Sequence, residues 1–228
     1  MILDHNKIIK SVQDASIIFE PFDESQVQGA SLDLRIGPQG ATTTHGKIVK
    51  IDMEGFMVLE PGDMAIISSL EILTFDASHV GRIGLRSKYA RKGLHVTTGL
   101  QVDPGFSGRL FVGVTNLTPQ PVTLPYKDDF ISIEIHKLNE PTAKPYSGPY
   151  QNKVDLGPED IEHIVDGKSY ALSEVITSLQ SLSANVGKLT TDYDVLASQQ
   201  KFFRWALPTG FGVIATMIAV VALIIALK

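Results

Sequence analysis

Short alternations of apolar and polar residues recur through the first 138 residues of the chain. Residues 32–36 alternate with the period of a half-buried strand, and segment 56–75 predicts a strand, a Pro-Gly turn and a second strand. Between them, residues 38–55 predict a polar loop and a hairpin. Because no long helical pattern interrupts the strands, we predict a mainly β sandwich or barrel and not a Rossmann-type sheet.

Two short helices are predicted at the margins of this β region. Residues 2–13 place apolar side chains at helical spacing, with Asp4 as the N-cap. In the proline- and glycine-rich stretch 140–167, Pro158 is followed by acidic Glu159 and Asp160, which favours a helix start. We interpret that stretch as a linker containing one short helix.

The pattern changes after Lys168. Apolar residues then recur at spacings of three and four over more than three heptads, which predicts a coiled coil. A single amphipathic helix lying on the β domain is the alternative interpretation. The apolar positions are Leu172, Val175, Leu179, Leu182, Val186, Leu189, Tyr193 and Leu196.

Residues 205–227 contain no charge, and about 20 apolar residues suffice for a helix to cross a bilayer. A buried helix of a globular protein is the alternative. Lys201 and Arg204 precede this span and Lys228 follows it. By the positive-inside tendency we expect a single-pass C-terminal anchor with the β domain in the cytoplasm. The N-terminal residues show no secretory signal.

Composition excludes several classes of function. A net charge of −5 and a pI near 5.7 argue against a general nucleic-acid binder, which needs a basic surface. The absence of cysteine excludes disulfide scaffolds and thiolate metal sites. The six histidines lack metal-ligand spacing, so we predict no protein-built metal site.

Candidate chemistry concentrates between Gly81 and Asn116. Five basic residues fall within the eleven positions 82–92, and in an acidic chain such a cluster either binds an anion or forms a solvated basic strand edge. Asp103 follows an apolar valine and precedes Pro-Gly. A carboxylate at that place caps a turn or serves as a general base, and the residues alone leave both roles open.

Four segments resemble the dCTP deaminase branch of the dUTPase superfamily: EPFDESQVQGASLDLRIG, FMVLEPGDMAIISSLEILTF, GLRSKYARKGL and VDPGFSGRLFVGVTN. This resemblance covers about residues 1–152. It implies a distorted jelly-roll β domain that forms a homotrimer, with active sites at the subunit interfaces. The implied ligand is a deoxypyrimidine triphosphate whose Mg²⁺ is held largely by the phosphates.

The resemblance, together with the helical periodicity and the uncharged run, gives the predicted domain boundaries. We expect a dUTPase/dCTP deaminase-like β domain over 1–152, a linker with a short helix over 153–168, a coiled coil over 169–204 and a transmembrane helix over 205–227.

Nine residues are candidates for the site by their match to family motifs or by their hydrogen-bonding groups. The resemblance gives Asp103 the place of the aspartate at the floor of the pyrimidine pocket and Phe106 that of a tyrosine stacked on deoxyribose. The predicted catalytic residues are Asp103, Ser87 and Arg91, and the predicted substrate-binding residues are Arg86, Lys88, Asp33, Thr97, Phe106 and Gln151.

Three departures from the family pattern bear on activity. Gly113 stands where deaminases carry the glutamate that shuttles a proton, so we expect deamination to be crippled. Lys88 replaces a serine, and the segment between Gly93 and Asp103 is one residue shorter. The family's C-terminal lid keeps Tyr150 and Gln151 but continues as an acidic sequence, which opposes contact with phosphates.

Three functional hypotheses follow. The first is a membrane-anchored enzyme acting on deoxypyrimidine triphosphates, in which surviving Asp103 favours diphosphate release over deamination. The second is a catalytically silent trimer that senses nucleotides or assembles other proteins at the membrane. The third makes the coiled coil and span the function and predicts no nucleotide affinity.

Overall fold

The computed structural model describes residues 1–166 and 170–226 of the 228-residue chain. It forms two compact units, Met1–Ile176 and Thr177–Lys228, which are described separately. Residues 167–169 and 227–228 lie outside the described residues. They include the predicted end of the linker, the first residue of the coiled coil, the last residue of the span, and Lys228 beyond it.

The first unit consists mainly of antiparallel strands. A short 3-10 helix (Glu24–Gln26) and the helices α1 (His5–Gln13), α2 (Ile51–Glu54), α3 (Ser87–Ala90) and α4 (Pro158–Asp166) accompany them. The strands are β1 (Ile17–Glu20), β2 (Leu32–Thr42), β3 (Ile48–Lys50), β4 (Phe56–Leu59), β5 (Met64–Phe75), β6 (His79–Leu85), β7 (Leu94–Val96), β8 (Gln101–Val102), β9 (Ser107–Asn116), β10 (Val122–Pro125) and β11 (Asp129–Lys137).

Nine strands form one sheet, in the order β7-β9-β5-β2-β11-β6-β8, with β1 added beside β5 and β3 beside β2. Strands β4 and β10 form a separate pair. Strand β7 at one end of the order also contacts β6 near the other end, so the sheet curls around its core. Alternate residues of the strands, such as Leu34, Ile67, Val112 and Ile133, fill that core. The prediction of a mainly β domain is confirmed.

Strand β2 continues through residues 38–42, where the polarity of the sequence predicted a loop. A side chain at Gly37 would lie 2.2 Å from the carbonyl oxygen of Ser69, so glycine lets β2 approach β5 closely. The pairing of these two strands shifts register between Ile36 and Gly40. This irregularity breaks the two-residue period by which strands are recognised in a sequence.

Both predicted short helices are present. Asp4 caps α1 by accepting a hydrogen bond from the backbone N–H of Lys7 at 3.0 Å. Helix α4 begins at Pro158 and packs against β2 and β5 through buried Ile161 and Ile164. Much of the stretch interpreted as a linker is therefore attached to the β domain.

A buried ion pair joins β2 to β5. The side chain of Arg35 donates to Glu71 at 2.7 Å, and the backbone N–H of Arg35 donates to the second carboxylate oxygen at 2.9 Å. Burial raises the pKa of Glu71 above its usual range, although the bonds from Arg35 oppose this shift. The pair satisfies a carboxylate that has almost no exposed surface.

Helix α5 (Tyr170–Ala226) covers both the predicted coiled coil and the predicted span. Its segment Ser178–Leu223 is long and apolar enough to cross a membrane, and none of its most apolar part is buried in the structure. The side chains of Leu172 and Val175 lie outside the described residues. The association of this helix with other copies as a coiled coil stays a prediction. The other apolar positions of the predicted coiled coil, called its apolar seam here, are exposed: Leu179, Leu182, Val186, Leu189, Tyr193 and Leu196.

Gly113 lies in β9 beneath the connection between β7 and β8. A Cβ atom at this position would come within 2.7 Å of Thr97 Oγ1 and 3.0 Å of Thr98 Cγ2. The backbone N–H of Thr97 also donates to the Gly113 carbonyl oxygen at 2.9 Å. The space that a side chain at residue 113 needs is thus filled by two threonines held against the strand.

We expect Gly113→Ala to destabilise the protein by about 1–3 kcal/mol, because the added methyl group overpacks the contact with Thr97. Removing the opposing hydroxyl should reduce this cost, so the same substitution in a Thr97→Ala background should be less destabilising. Urea unfolding of the four proteins of this double-mutant cycle measures the coupling. Additive effects of the two substitutions would contradict the packing described.

Candidate functional site

A cleft of about 250 Å³ opens beside β9 and the turn that precedes it. The cleft contains two of the nine predicted site residues, Asp103 and Phe106. Hydrophobic residues of β5, β6 and β9 form its apolar walls, and Gln101 and Arg109 also line it. A small apolar cleft with a few convergent polar groups is the usual form of a small-molecule site.

The turn from Asp103 to Ser107 supplies the carboxylate of the cleft. Gln101 Nε2 donates to Asp103 Oδ1 at 2.7 Å, which fixes the orientation of the half-buried acid. Gly105 adopts a positive φ of 82°, a conformation that favours glycine. The Pro-Gly signal therefore has a direct structural cause, and Asp103 lies where the strand ends, as expected.

Aromatic rings surround this turn. Phe106 is buried and meets Tyr146 edge to face, with ring centroids 5.5 Å apart. Phe111 and Tyr150 form a second pair, with centroids 6.2 Å apart. All four rings line the cleft and offer apolar faces and edges to a planar ligand.

Arg86 and Asp33 contact each other and do not line the cleft. Asp33 is buried, and the Arg86 guanidinium forms an ion pair with its carboxylate. Arg86 also precedes the short helix α3, and its backbone N–H donates to the Phe130 carbonyl oxygen at 3.0 Å. A third of the Arg86 side chain remains exposed, so the side chain is partly accessible at the surface of the chain.

Lys88 forms an ion pair with Asp128 at 2.5 Å. The buried Tyr89 hydroxyl donates to the same carboxylate. Burial alone raises the pKa of Asp128, but hydrogen bonds from Lys88 and Tyr89 outweigh it and hold that pKa below its usual range. Burial and the neighbouring carboxylate raise the pKa of the Tyr89 phenol. The Lys88 ammonium therefore already has a partner within its own chain.

Ser87, Arg91 and Thr97 are exposed and lie outside the residues that line the cleft. Thr97 approaches Gly113, as described above, while Ser87 begins helix α3. The structure of one chain therefore divides the predicted residues into two groups. Asp103 and Phe106 belong to the cleft, and the residues of segment 86–91 do not.

Gln151 bonds to the turn of the cleft instead of lining it. Its Nε2 donates to the Gly105 carbonyl oxygen at 2.9 Å, and its Oε1 accepts from the backbone N–H of Ser107 at 3.2 Å. The lid segment that was predicted to have become a linker thus runs along the turn.

The sequence did not indicate four polar or aromatic residues of the cleft: Gln101, Arg109, Tyr146 and Phe111. Arg109 lies on β9, and its guanidinium donates to the carbonyl oxygens of Ser69 and Leu70. Tyr146 lies in a proline- and glycine-rich stretch without periodicity. The Pro145-Tyr146 pair was the available sequence signal, but only the tertiary fold brings Tyr146 to the turn.

The described residues contain no group of three or more histidine or acidic side chains placed to hold a metal ion. Asp103 is the one acidic residue among those that line the cleft. This donor set fits a Mg²⁺ ion that arrives with a triphosphate, and it does not fit an ion held by protein ligands alone.

A family model described as dCTP deaminase-like matches residues 2–132. The dCTP deaminase of Thermococcus sibiricus is 36% identical over 156 residues, which cover 68% of this chain and 95% of the relative. The dCTP deaminase of Pyrococcus horikoshii is 35% identical over 140 residues, covering 61% of this chain and 88% of the relative.

Among solved structures, the 2'-deoxycytidine 5'-triphosphate deaminase from Agrobacterium tumefaciens superposes with a TM-score of 0.51 at 21% sequence identity. The superposition covers 60% of this chain and 49% of the other, so it supports the fold alone. The family model and the Thermococcus relative both match through the β domain that carries the cleft. The chain belongs to the dCTP deaminase-like family.

Proposed function

We propose that this protein binds deoxypyrimidine triphosphates in the cleft and hydrolyses them to the monophosphate and diphosphate, as a membrane-anchored homotrimer. One observation carries the proposal. Asp103 is an oriented carboxylate in the cleft, whereas strand β9 has a glycine at residue 113, the position to which the family resemblance assigns the proton-transferring side chain of a deaminase.

Asp103 acts as the general base in this proposal. Its Oδ1 accepts a bond from Gln101, and Asp103 has no salt bridge within the described chain. A second carboxylate oxygen is then available to take a proton from water attacking the α-phosphate. Phe106 and Tyr146 provide apolar surface for the sugar and base.

Deamination lacks its acid/base group in this arrangement. A general acid or base contributes about 10²- to 10⁴-fold to the rate, and glycine provides none. The threonines packed over Gly113 also leave no room there for a glutamate. Replacing Gly113 by glutamate is therefore insufficient to restore the reaction.

Magnesium is proposed as a companion of the triphosphate. When bound, it neutralises phosphate charge and supplies Lewis acidity. Phosphate oxygens and water would supply the ligands of the ion, and Asp103 is the acidic cleft residue that would face those water ligands.

The proposed homotrimer explains why Asp103 and Phe106 line the cleft while the predicted site residues of segment 86–91 lie outside it. Exposed Ser87 and Arg91, and the outward part of Arg86, are available to the triphosphate of a neighbouring copy. A site shared between copies brings these phosphate-binding groups to Asp103 and Phe106. The exposed apolar seam of α5 supports self-association through the predicted coiled coil at 169–204.

Purified full-length protein in detergent should release pyrophosphate from dUTP in the presence of Mg²⁺, without releasing ammonia from dCTP. Asp103→Asn should lower the rate by about 10²- to 10⁴-fold because the amide cannot accept the proton. Asp14→Asn, at the exposed end of α1, is the matched control and should retain full activity.

Pyrophosphate and ammonia are measured in parallel for dUTP, dCTP and dTTP, and sedimentation of the same sample gives the oligomeric state. Ammonia from dCTP would overturn the exclusion of deamination. Turnover by a monomer would overturn the shared site. If no nucleotide binds or reacts, the proposed function is wrong and the third hypothesis remains.

A catalytically silent nucleotide sensor or assembly scaffold is the second candidate function. It is favoured by the fixed position of the former lid, whose Lys153 is held by Glu159 and Asp160 and is not among the residues that line the cleft. Saturable nucleotide binding without any product in the assay above distinguishes this sensor from the hydrolase.

Membrane anchoring is proposed from the composition and exposure of α5. Its residues 205–223 are without charge, and large apolar side chains such as Trp205, Ile214 and Val221 are exposed.

Pro208 lies within the helix, and Thr209 Oγ1 donates to carbonyl oxygens of the preceding turn at 2.9 and 3.0 Å. These bonds give the Thr209 hydroxyl partners within its own helix, as a polar group in a membrane requires. Lys201 and Arg204 favour a cytoplasmic β domain.

Full-length protein should stay in the membrane fraction after an alkaline wash. The double substitution Ile214→Arg and Val221→Arg should release it, since each arginine at the centre of a span costs about 2.5–3.5 kcal/mol. Ser181→Arg, on the exposed surface of the same helix outside the span, is the control and should remain in the membrane. Full-length protein that is soluble without detergent would disprove the anchor.

A further inference from the structure

Residues 145–153, called the strap here, contact the Asp103–Ser107 turn along its length. The backbone N–H of Tyr146 donates to the Pro104 carbonyl oxygen at 2.8 Å, and that of Asn152 donates to the Ser107 carbonyl oxygen at 2.7 Å. A side chain at Gly105 would come within 2.6 Å of Pro145. The strap and the turn are therefore in close contact at three residues of the turn, Pro104, Gly105 and Ser107.

Gln151 makes the central contact between the strap and the turn. Its amide group donates to the Gly105 carbonyl oxygen and accepts from the Ser107 N–H. One side chain therefore hydrogen-bonds to the backbone of the two residues that flank Phe106. Phe106 and Asp103 are the predicted site residues in the cleft. Glutamine is suited to this place because its side chain combines a donor and an acceptor.

The far end of the strap is also fixed. The Lys153 carbonyl oxygen accepts from the backbone N–H of Arg109 at 2.8 Å. Lys153 Nζ lies 2.7 Å from Glu159 and 2.6 Å from Asp160, the acidic first turn of α4, and these partners raise the pKa of the Lys153 ammonium. The strap consequently has anchors on both sides of Gln151.

We propose that Gln151 is a positioning residue that sets the conformation of the Asp103–Ser107 turn for ligand binding and does not itself bind the ligand. This inference rests on the proposed function for its ligand. Both polar atoms of the Gln151 amide are already bonded to the turn, which removes the need for a contact with phosphate. A loss of these bonds frees the backbone that carries Asp103 and Phe106.

The test uses full-length protein, a non-hydrolysable dUTP analogue with Mg²⁺, and the variants Gln151→Leu and Gln151→Glu. We expect Gln151→Leu to weaken binding about tenfold, the effect of losing a well-made hydrogen bond. Gln120→Leu, an exposed position outside the cleft, is the matched control.

The pH dependence of Gln151→Glu separates positioning from simple packing. An ionised glutamate accepts from the Ser107 N–H but cannot donate to the Gly105 carbonyl oxygen, whereas the protonated acid does both. Its affinity relative to wild type should therefore improve as the pH falls from about 7 to about 4, a range that includes the usual glutamate pKa of about 4.3, while the ratio for Gln151→Leu stays constant. A constant ratio for both variants, or unchanged binding by Gln151→Leu, would overturn the proposal.

Amide hydrogen exchange tests the positioning role without a ligand. The Ser107 N–H donates to Gln151, so its exchange should accelerate about tenfold in Gln151→Leu and remain unchanged in Gln120→Leu. If wild-type protein binds no nucleotide, the proposed function fails, yet faster exchange still supports positioning. Unchanged exchange at Ser107 contradicts the positioning role whatever the nucleotide result.

Discussion

The cleft depends on the close approach of two chain segments to strand β9. Each crosses the strand at a glycine, the strap at Gly108 and the β7–β8 connection at Gly113. A Cβ atom at Gly108 would lie 2.7 Å from the Lys153 carbonyl oxygen, and Gly108 has a φ of 142° that favours glycine. Larger residues at either point would move a wall of the cleft. Gly113, the predicted replacement of the family's glutamate, therefore has a packing role.

This packing fits the proposal that the chain keeps the cleft of its family and lacks deamination. Thr97 and Thr98 lie over Gly113, so a side chain as large as glutamate at residue 113 would require the connection between β7 and β8 to move. The orientation of the Asp103 carboxylate does not depend on residue 113, because Gln101 and the Asp103–Ser107 turn hold it in place. Chemistry that needs only a base at Asp103 is retained in this account, and chemistry that also needs a group at residue 113 is not.

The sequence was sufficient to predict the β domain, the capped helix α1, the helix start at Pro158 and the place of Asp103 at a turn. Each depends on local signals, namely alternation, caps and Pro-Gly pairs. It was insufficient for the extension of β2 beyond Gly37, where a register shift hides the period. It was also insufficient for the strap, whose contacts with the Asp103–Ser107 turn are all long-range. It also gave no sign that Lys88 is paired with Asp128, forty residues away.

Co-expression of Asp103→Asn chains with Arg91→Ala chains tests most directly the central claim that one site is built from two copies. Each variant alone should release pyrophosphate from dUTP slowly, since every site lacks either the base or the arginine. Mixed trimers should contain about a quarter of sites with both groups intact, so the mixture should recover about a quarter of the wild-type rate. A mixture that is no more active than the two separate variants would contradict the shared site.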